Sequence, residues 1–310
     1  MKRQYRILLV EPLDEPAHQA LAARAEVVRP ASGEPADVRA AVAGCDALIA
    51  RTHNRISSEI LQAADSLKVV GIAGVGLDNV DLAAAERLGI PVLNTPEASS
   101  DAVAEFTIAL ILQLLRPIGH LAARYAAGEF RTLRERPHGP ELRGLTLGIV
   151  GMGRIGSRVG RIAAAGFAAR VLYNDIAPVG PFEFPCQAVD KPTLWREADV
   201  VSLHVPATEQ TRGLIAADVL GQFKPGAYLV NTARGSIVRT DDLLAALRSG
   251  RLAGAALDVV DPEPLPADHP LFAQPNCILT PHVAARTHGG LRRMFAIVDK
   301  VLAYLDQLAT

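Results

Sequence analysis

The sequence has little of what marks a secreted, membrane-bound or nucleic-acid-binding chain. Only three cysteines, Cys45, Cys186 and Cys277, occur in 310 residues. Their odd number and wide spacing offer no disulfide framework and no zinc spacing, so a reducing cytosol fits and no metal site is expected. With 32 basic and 33 acidic residues the formal net charge is −1, which gives no global field to draw nucleic acid or an anionic membrane. The one basic stretch, Arg116 to Arg143, has six arginines against three glutamates and reads as a solvated surface, partly facing another subunit. No apolar run approaches the roughly 20 residues that span a bilayer. The N-terminus, MKRQYRILLVEP, has an apolar run too short for a signal peptide. A cytoplasmic chain without nucleic-acid or membrane partners is therefore expected.

What is present is apolar and alternating. Hydrophobic residues make up 49% of the chain, enough for a sizeable core, and the length suggests one large or two medium domains. Short apolar runs recur in two series: RILLVE, EVVRP, ALIAR, KVVGIAG and PVLNT, then TLGIVG, RVLYND, DVVSLHV, AYLVNTA, AGAALDVV and CILT. Helical segments separate most of them, which predicts α/β architecture with doubly wound parallel sheets. Between the series, DAVAEFTIALILQLL is apolar nearly all round and needs burial in a core or a subunit interface. Thr240 with Asp241 and Asp242 reads as a helix start. Leu291, Met294, Ile297, Val298, Val301, Leu302 and Leu305 follow the spacing of one amphipathic helix. Gly289-Gly290 just before it reads as a hinge or turn.

The stretch LGIVGMGRIG ends an apolar run in Gly-x-Gly-x-x-Gly. Gly151 allows a tight turn, Gly153 lets the backbone approach a pyrophosphate, and Gly156 lets helix and strand pack closely. The helix N-terminus offers free N–H groups to phosphates. Asp175, 19 residues beyond Gly156, stands where an acidic residue takes ribose hydroxyls. A carboxylate there repels a 2′-phosphate, and no arginine follows in Ile176-Ala177-Pro178, so NAD is expected over NADP. The plain alternative is a glycine turn without ligand.

Three polar residues follow strand-like runs in the same half: Arg234 in LVNTARGS, Glu263 in LDVVDPEP and His282 in ILTPHVAA. Ligands of open α/β sheets bind outside the carboxyl ends of strands, so an arginine, an acid and a histidine at three such ends point to one site. Each also has an ordinary reading, as a turn arginine, a loop acid or a structural histidine.

With AGVGLDNVD, VLNTPEASSDAVAEFTIALIL, LGIVGMGRIG, ADVVSLHVPATEQTRGLI, LVNTARGSIV, ALDVVDPEP and ILTPH in this order, the chain resembles the D-isomer-specific 2-hydroxyacid dehydrogenases. The phosphoglycerate dehydrogenase and hydroxypyruvate/glyoxylate reductase branches are the most similar. The resemblance implies a Rossmann domain, residues 99–284, inserted into a flavodoxin-like substrate domain of residues 1–98 plus 285–310. It implies a substrate cleft between them and a homodimer through the helix starting at Asp101. It also implies that Arg234 holds the carboxylate and carbonyl of a small 2-oxo acid. His282 exchanges the proton, and Glu263 orients His282 and favours its protonated form. Gly151, Gly153, Arg154, Ile155, Gly156, Asp175, His204, Pro206, Thr211, Thr232, Ala233 and Asp258 are the implied cofactor positions, with Asp258 and the Thr232 carbonyl at the nicotinamide carboxamide. For His204 a structural role competes with this. Arg51 and the amides of Val75 and Gly76 are the implied substrate contacts beside Arg234. His53, His120, His138 and His288 read as ordinary surface or loop residues.

The chain also departs from the pattern. Ile72 stands where phosphoglycerate-type members often have a basic residue, which weakens the case for a phosphorylated substrate. Ala285 and Arg286 replace a glycine and a small residue. The formate dehydrogenase branch has glutamine at the position of Glu263, so that activity is not expected. A competing reading comes from the C-terminal-binding-protein corepressors, which resemble this family and keep the same three residues: an NAD(H)-sensing dimer without physiological turnover.

Overall fold

The computed structural model describes Tyr5 to Ala309; residues 1–4, with the basic N-terminus read above, and Thr310 lie outside the described residues. The chain divides into two compact units, residues 1–99 with 286–310, and residues 100–285. Each division falls one residue later than the sequence suggests.

In the first unit, β1 (Tyr5–Leu9), β2 (Ala25–Val28), β3 (Ala47–Arg51), β4 (Val69–Ala73) and β5 (Val92–Asn94) form a parallel sheet. Its order is β2-β1-β3-β4-β5, the flavodoxin-like winding with its switch point between β1 and β3. One face packs Leu8, Leu48, Val70 and Ile72 against Val38, Ile60 and Leu61 from helices. On the opposite face lies the helix Ile297–Ala309. It comes so close to β4 that a Cβ on Gly71 would meet Val301 at 2.6 Å and Ile297 at 3.0 Å. The Tyr5 hydroxyl and the Arg24 guanidinium both donate to Asp306 Oδ1 on that helix, at 2.9 and 2.6 Å.

The C-terminal segment corrects the expectation of one helix after a glycine turn. Two helices, His288–Phe295 and Ile297–Ala309, follow one another, and Gly289-Gly290 lie inside the first. The reason is Thr287: its Oγ1 accepts from the Gly290 amide at 2.9 Å. This cap satisfies an otherwise orphaned donor and starts the helix ahead of the glycines.

The second unit carries β6 (Thr146–Val150), β7 (Arg170–Asn174), β8 (Gln187–Ala188), β9 (Val200–Leu203), β10 (Ala227–Asn231), β11 (Leu252–Leu257) and β12 (Cys277–Leu279). They are all parallel, in the order β12-β11-β10-β9-β6-β7-β8. This is the Rossmann winding with one added strand, and its switch point lies between β6 and β9. The helix Ser100–Leu115 buries nine residues, including Leu110, Ile111 and Leu115 in the same core as Leu147, Val159 and Val230. Its core-facing side thus packs within its own unit. Among the described residues no single helix is long and apolar enough to cross a membrane.

Candidate active site

The glycine loop leaves β6 at Gly151, whose φ of +91° lies in the region that favours glycine. A Cβ there would meet the His204 carbonyl oxygen at 2.6 Å, and one on Gly156 would overlap the Gly151 carbonyl. Both glycines are required by the protein's own packing. Gly153 differs. It caps the helix Arg154–Phe167, and a Cβ on it would meet no protein atom within 4 Å. The open cradle lies beside the helix N-terminus, a place where a pyrophosphate could be received. Exposed Arg154 and half-buried Ile155 open that helix. At the end of β7, Asp175 accepts from the Met152 amide at 2.7 Å and the Ala177 amide at 3.2 Å. These bonds fix the carboxylate against the glycine loop and leave lone pairs that could take further hydroxyl donors.

His204 follows β9 across the switch point. Its Nε2 shares a hydrogen with Ser202 Oγ at 2.8 Å. Nδ1 is buried and, among the described residues, has no hydrogen-bond partner. The residue as a whole is half-buried, but the ring is desolvated, and burial pushes its pKa down to about 3. His204 is therefore neutral in the fold and protonates freely when unfolded. The unfolded chain binds the extra proton, so stability falls as pH drops below about 6.5 toward 3. Urea unfolding should show His204 contributing a loss of about 2 kcal/mol between pH 7 and pH 5. His204→Gln should remove that part of the slope, and an unchanged slope would contradict the burial argument. Further along the loop, Thr211 Oγ1 donates to the Pro206 carbonyl at 2.6 Å and accepts from the Thr208 amide at 2.8 Å. Its hydroxyl is committed to this turn, while Pro206 is exposed.

The polar triplet grows from the ends of β10, β11 and β12, which are neighbours in the sheet. After β10, buried Asn231 braces the turn: Oδ1 accepts from the Ala233 amide at 3.0 Å and Nδ2 donates to the Arg234 carbonyl at 2.9 Å. Thr232 is buried and pairs with Thr107 at 2.8 Å. Arg234 is half-buried, with Nη1 donating to the Ala233 carbonyl at 2.7 Å. Gly235 is pressed onto the backbone of Val260, which leaves no room for a Cβ, so the loops after β10 and β11 lie in contact.

His282 Nδ1 lies 2.7 Å from Glu263 Oε1, with the two side chains 34% and 40% exposed. The pair is accessible enough to meet a ligand and close enough to fix the ring. The backbone of His282 has a φ of +52°, uncommon for a residue with a side chain. Asp258 holds it there. Its carboxylate accepts from Thr280 Oγ1 at 2.6 Å and from the Val283 and Ala284 amides, each at 2.9 Å. The Asp258 carbonyl accepts from the His282 amide at 2.8 Å. Sequence reasoning assigned Asp258 to the cofactor and missed this clamp. The available signal was an acid placed at the end of the apolar run AGAALDVV.

In the first unit, Arg51 is the last residue of β3, its amide accepted by Asn54 Oδ1 at 2.9 Å and its carbonyl bound by Asn79 Nδ2 at 3.0 Å. After β4 the chain turns at Gly74, where φ is +158° and a Cβ would strike Thr52. The Val75 carbonyl accepts from Asn94 Nδ2 at 2.7 Å. The amides of Val75 and Gly76 donate to none of the described residues. Ile72 is fully buried in the core. Its apolar side chain packs in the core of the first unit.

A family model described as "D-isomer specific 2-hydroxyacid dehydrogenase, NAD binding domain" matches residues 108–284. A glyoxylate reductase of Aeropyrum pernix is 44% identical over 84% of this chain and 80% of its own. A hydroxypyruvate reductase of Thermotoga maritima is 35% identical over 97% of this chain and 99% of its own. The crystal structure of the TT0316 protein of Thermus thermophilus superposes with a TM-score of 0.87 at 40% identity, covering 97% of each chain. With the Rossmann winding, the open glycine cradle and the paired histidine and glutamate already in place, these similarities settle the family: the chain belongs to the D-isomer-specific 2-hydroxyacid dehydrogenases and is an NAD-dependent enzyme.

Proposed function

We propose that the enzyme interconverts a small D-2-hydroxy acid and its 2-oxo acid, of the glyoxylate, hydroxypyruvate or 3-phosphoglycerate type, with His282 as acid and base. The observation that carries this reading is the His282–Glu263 pair at 2.7 Å, on strand ends next to that of Arg234. Gly151 to Gly156 would hold the pyrophosphate of NAD, Asp175 the ribose, and Thr232, Ala233 and Asp258 the nicotinamide end. The cradle at Gly153 fits such a ligand. NADH supplies the hydride when bound. Arg234 offers a planar fork that grips carboxylate and carbonyl oxygens of the 2-oxo acid together. In the first unit, the amides of Val75 and Gly76 and the guanidinium of Arg51 are the remaining candidates for substrate contact.

In reduction, His282 Nε2–H passes its proton to the developing alkoxide and the ring is left neutral. In oxidation the neutral ring takes the hydroxyl proton back. Glu263, bonded at Nδ1, keeps the reacting nitrogen turned toward the substrate and stabilises the charged ring.

The protein works as a homodimer through the helix starting at Asp101 in this reading. Ile118, Tyr125 and Phe130, 67, 61 and 51% exposed just beyond the helix Ser100–Leu115, form an apolar surface suited to a second copy. Light scattering that reports only monomer overturns that part. A cytoplasmic location completes the reading, in keeping with three free cysteines.

The test is NADH and NADPH oxidation at 340 nm against 2-oxo acids with and without a phosphate. The expected result is turnover with NADH and a kcat/KM at least about 100-fold lower with NADPH, because a 2′-phosphate meets the Asp175 carboxylate. Tight NADH binding without turnover of any acid would instead support the dimeric sensor.

A further inference from the structure

The helix Ser100–Leu115 is apolar nearly all round, yet its buried face carries a threonine. Thr107 is fully buried, among the core residues Ala104, Ile108 and Ile111 of the same helix. Its Oγ1 lies 2.7 Å from the Val103 carbonyl and 2.8 Å from Thr232 Oγ1. A hydroxyl has one hydrogen, and a carbonyl can only accept. Thr107 therefore donates to Val103, as mid-helix threonines do one turn back, and accepts from Thr232. Thr232 is buried as well, and its one hydroxyl hydrogen is spent on a residue 125 positions away. Two valines would fill the same space. The hydroxyls add a fixed direction.

That direction matters because of what the turn after β10 leaves open. Asn231 holds its own turn, with Oδ1 accepting from the Ala233 amide at 3.0 Å and Nδ2 donating to the Arg234 carbonyl at 2.9 Å. Thr232, between them, is held by Thr107 instead. The Thr232–Ala233 peptide is trans, so the Thr232 carbonyl points away from the Ala233 N–H and from the Asn231 side chain that accepts it. Among the described residues no donor reaches that carbonyl. Its aim thus has two determinants: Asn231 on the far side of the peptide, and Thr107 at the Thr232 side chain.

We propose that Thr107 is a positioning residue: by holding Thr232 it aims the Thr232 carbonyl at the carboxamide NH₂ of the nicotinamide ring. The inference rests on the reading above that places Thr232 at the nicotinamide end of the cofactor. A carboxamide brings two N–H donors and a free carbonyl brings lone pairs, so an acceptor held in one direction fixes the rotation of the ring about its bond to the ribose. Thr107 touches no ligand itself. It lies in the same unit as the glycine loop and the turn after β10, so its effect is carried wholly inside the nucleotide-binding unit.

The experiment measures equilibrium affinities by calorimetry for the wild type, Thr107→Val and Thr107→Ser. The probes are NADH, ADP-ribose, and the reduced 3-acetylpyridine analogue of the cofactor, in which a methyl replaces the carboxamide NH₂. The wild type binds NADH about 3- to 10-fold more tightly than the acetyl analogue, the worth of one hydrogen bond. Thr107→Val keeps the shape but strands the buried Thr232 hydroxyl, which turns toward another acceptor and takes the carbonyl with it. Its preference for NADH over the analogue shrinks to about twofold or less, while its affinity for ADP-ribose, which has no nicotinamide, stays at the wild-type value. Thr107→Ser keeps the hydroxyl and restores the preference. Where Thr107→Val folds poorly, Thr107→Val combined with Thr232→Val removes both partners of the buried bond and leaves no orphaned donor, and it too is expected to lose the preference. A Thr107→Val protein that keeps the wild-type preference, or that loses NADH and ADP-ribose affinity alike, overturns the proposal and leaves the reading intact. A wild type with no preference between NADH and the analogue overturns the placement of the carboxamide at Thr232, and the proposal with it.

Discussion

Replacing His282 by alanine lowers kcat for 2-oxo acid reduction about 10²- to 10⁴-fold, the range that a positioned general acid contributes. The alkoxide that develops must then take its proton from water, without a donor held in place. Because the interaction matters most in the transition state, kcat and kcat/KM should fall together while KM moves little. Glu263→Gln keeps a hydrogen bond to Nδ1 but removes the charge opposite the ring, so its effect should be smaller, about tenfold or more. Stopped-flow NADH absorbance, with NADH affinity measured separately by fluorescence, distinguishes lost chemistry from lost binding. A His282→Ala enzyme with kcat within threefold of wild type would remove proton transfer from this residue.

Asp258→Asn should be nearly as damaging although it touches neither end of the proton transfer directly. The carboxylate is 1% exposed and accepts three hydrogen bonds from the loop that carries His282. Asparagine has the same shape, but one of its two ends is now an NH₂ facing a backbone N–H. A donor facing a donor leaves a buried group unsatisfied, at a cost of about 1–3 kcal/mol. The loop then relaxes from the left-handed backbone at His282, and a displacement of about 1 Å in a catalytic group costs roughly 10²-fold in rate. The expected signature is a drop in both Tm and kcat. His282→Ala by contrast lowers kcat with little change in Tm. Wild-type Tm and kcat in Asp258→Asn would show that the clamp is dispensable.

The strands were legible because each is a short apolar run with helical sequence on either side, and nearly every run quoted contains a strand. The glycine loop was legible because two of its glycines are demanded by backbone geometry and the third by open space, and all three demands fix a spacing. Asp258 was only half legible. An acid at a strand end signals a site, but its clamp depends on amides twenty-five residues away, which no local pattern encodes. The edge strand Gln187–Ala188 was invisible, since both residues are exposed and neither forms an apolar run. The break at Ala296 was also hidden, because both helices continue one amphipathic spacing across it.

The path of the chain through the first unit sets an order of events during synthesis. Strands β1 to β5 leave the ribosome early, but the helix Ile297–Ala309 on their second face is made only after the whole nucleotide-binding unit. Until residues 297–309 emerge, Gly71 and its neighbours on β4 present an uncovered apolar sheet, and Tyr5 and Arg24 wait for Asp306. The nucleotide-binding unit is continuous in sequence and folds without waiting, as domains do when they emerge whole. A nascent chain stalled short of Ile297 should therefore already bind NADH while its N-terminal sheet remains open to chaperones and proteases.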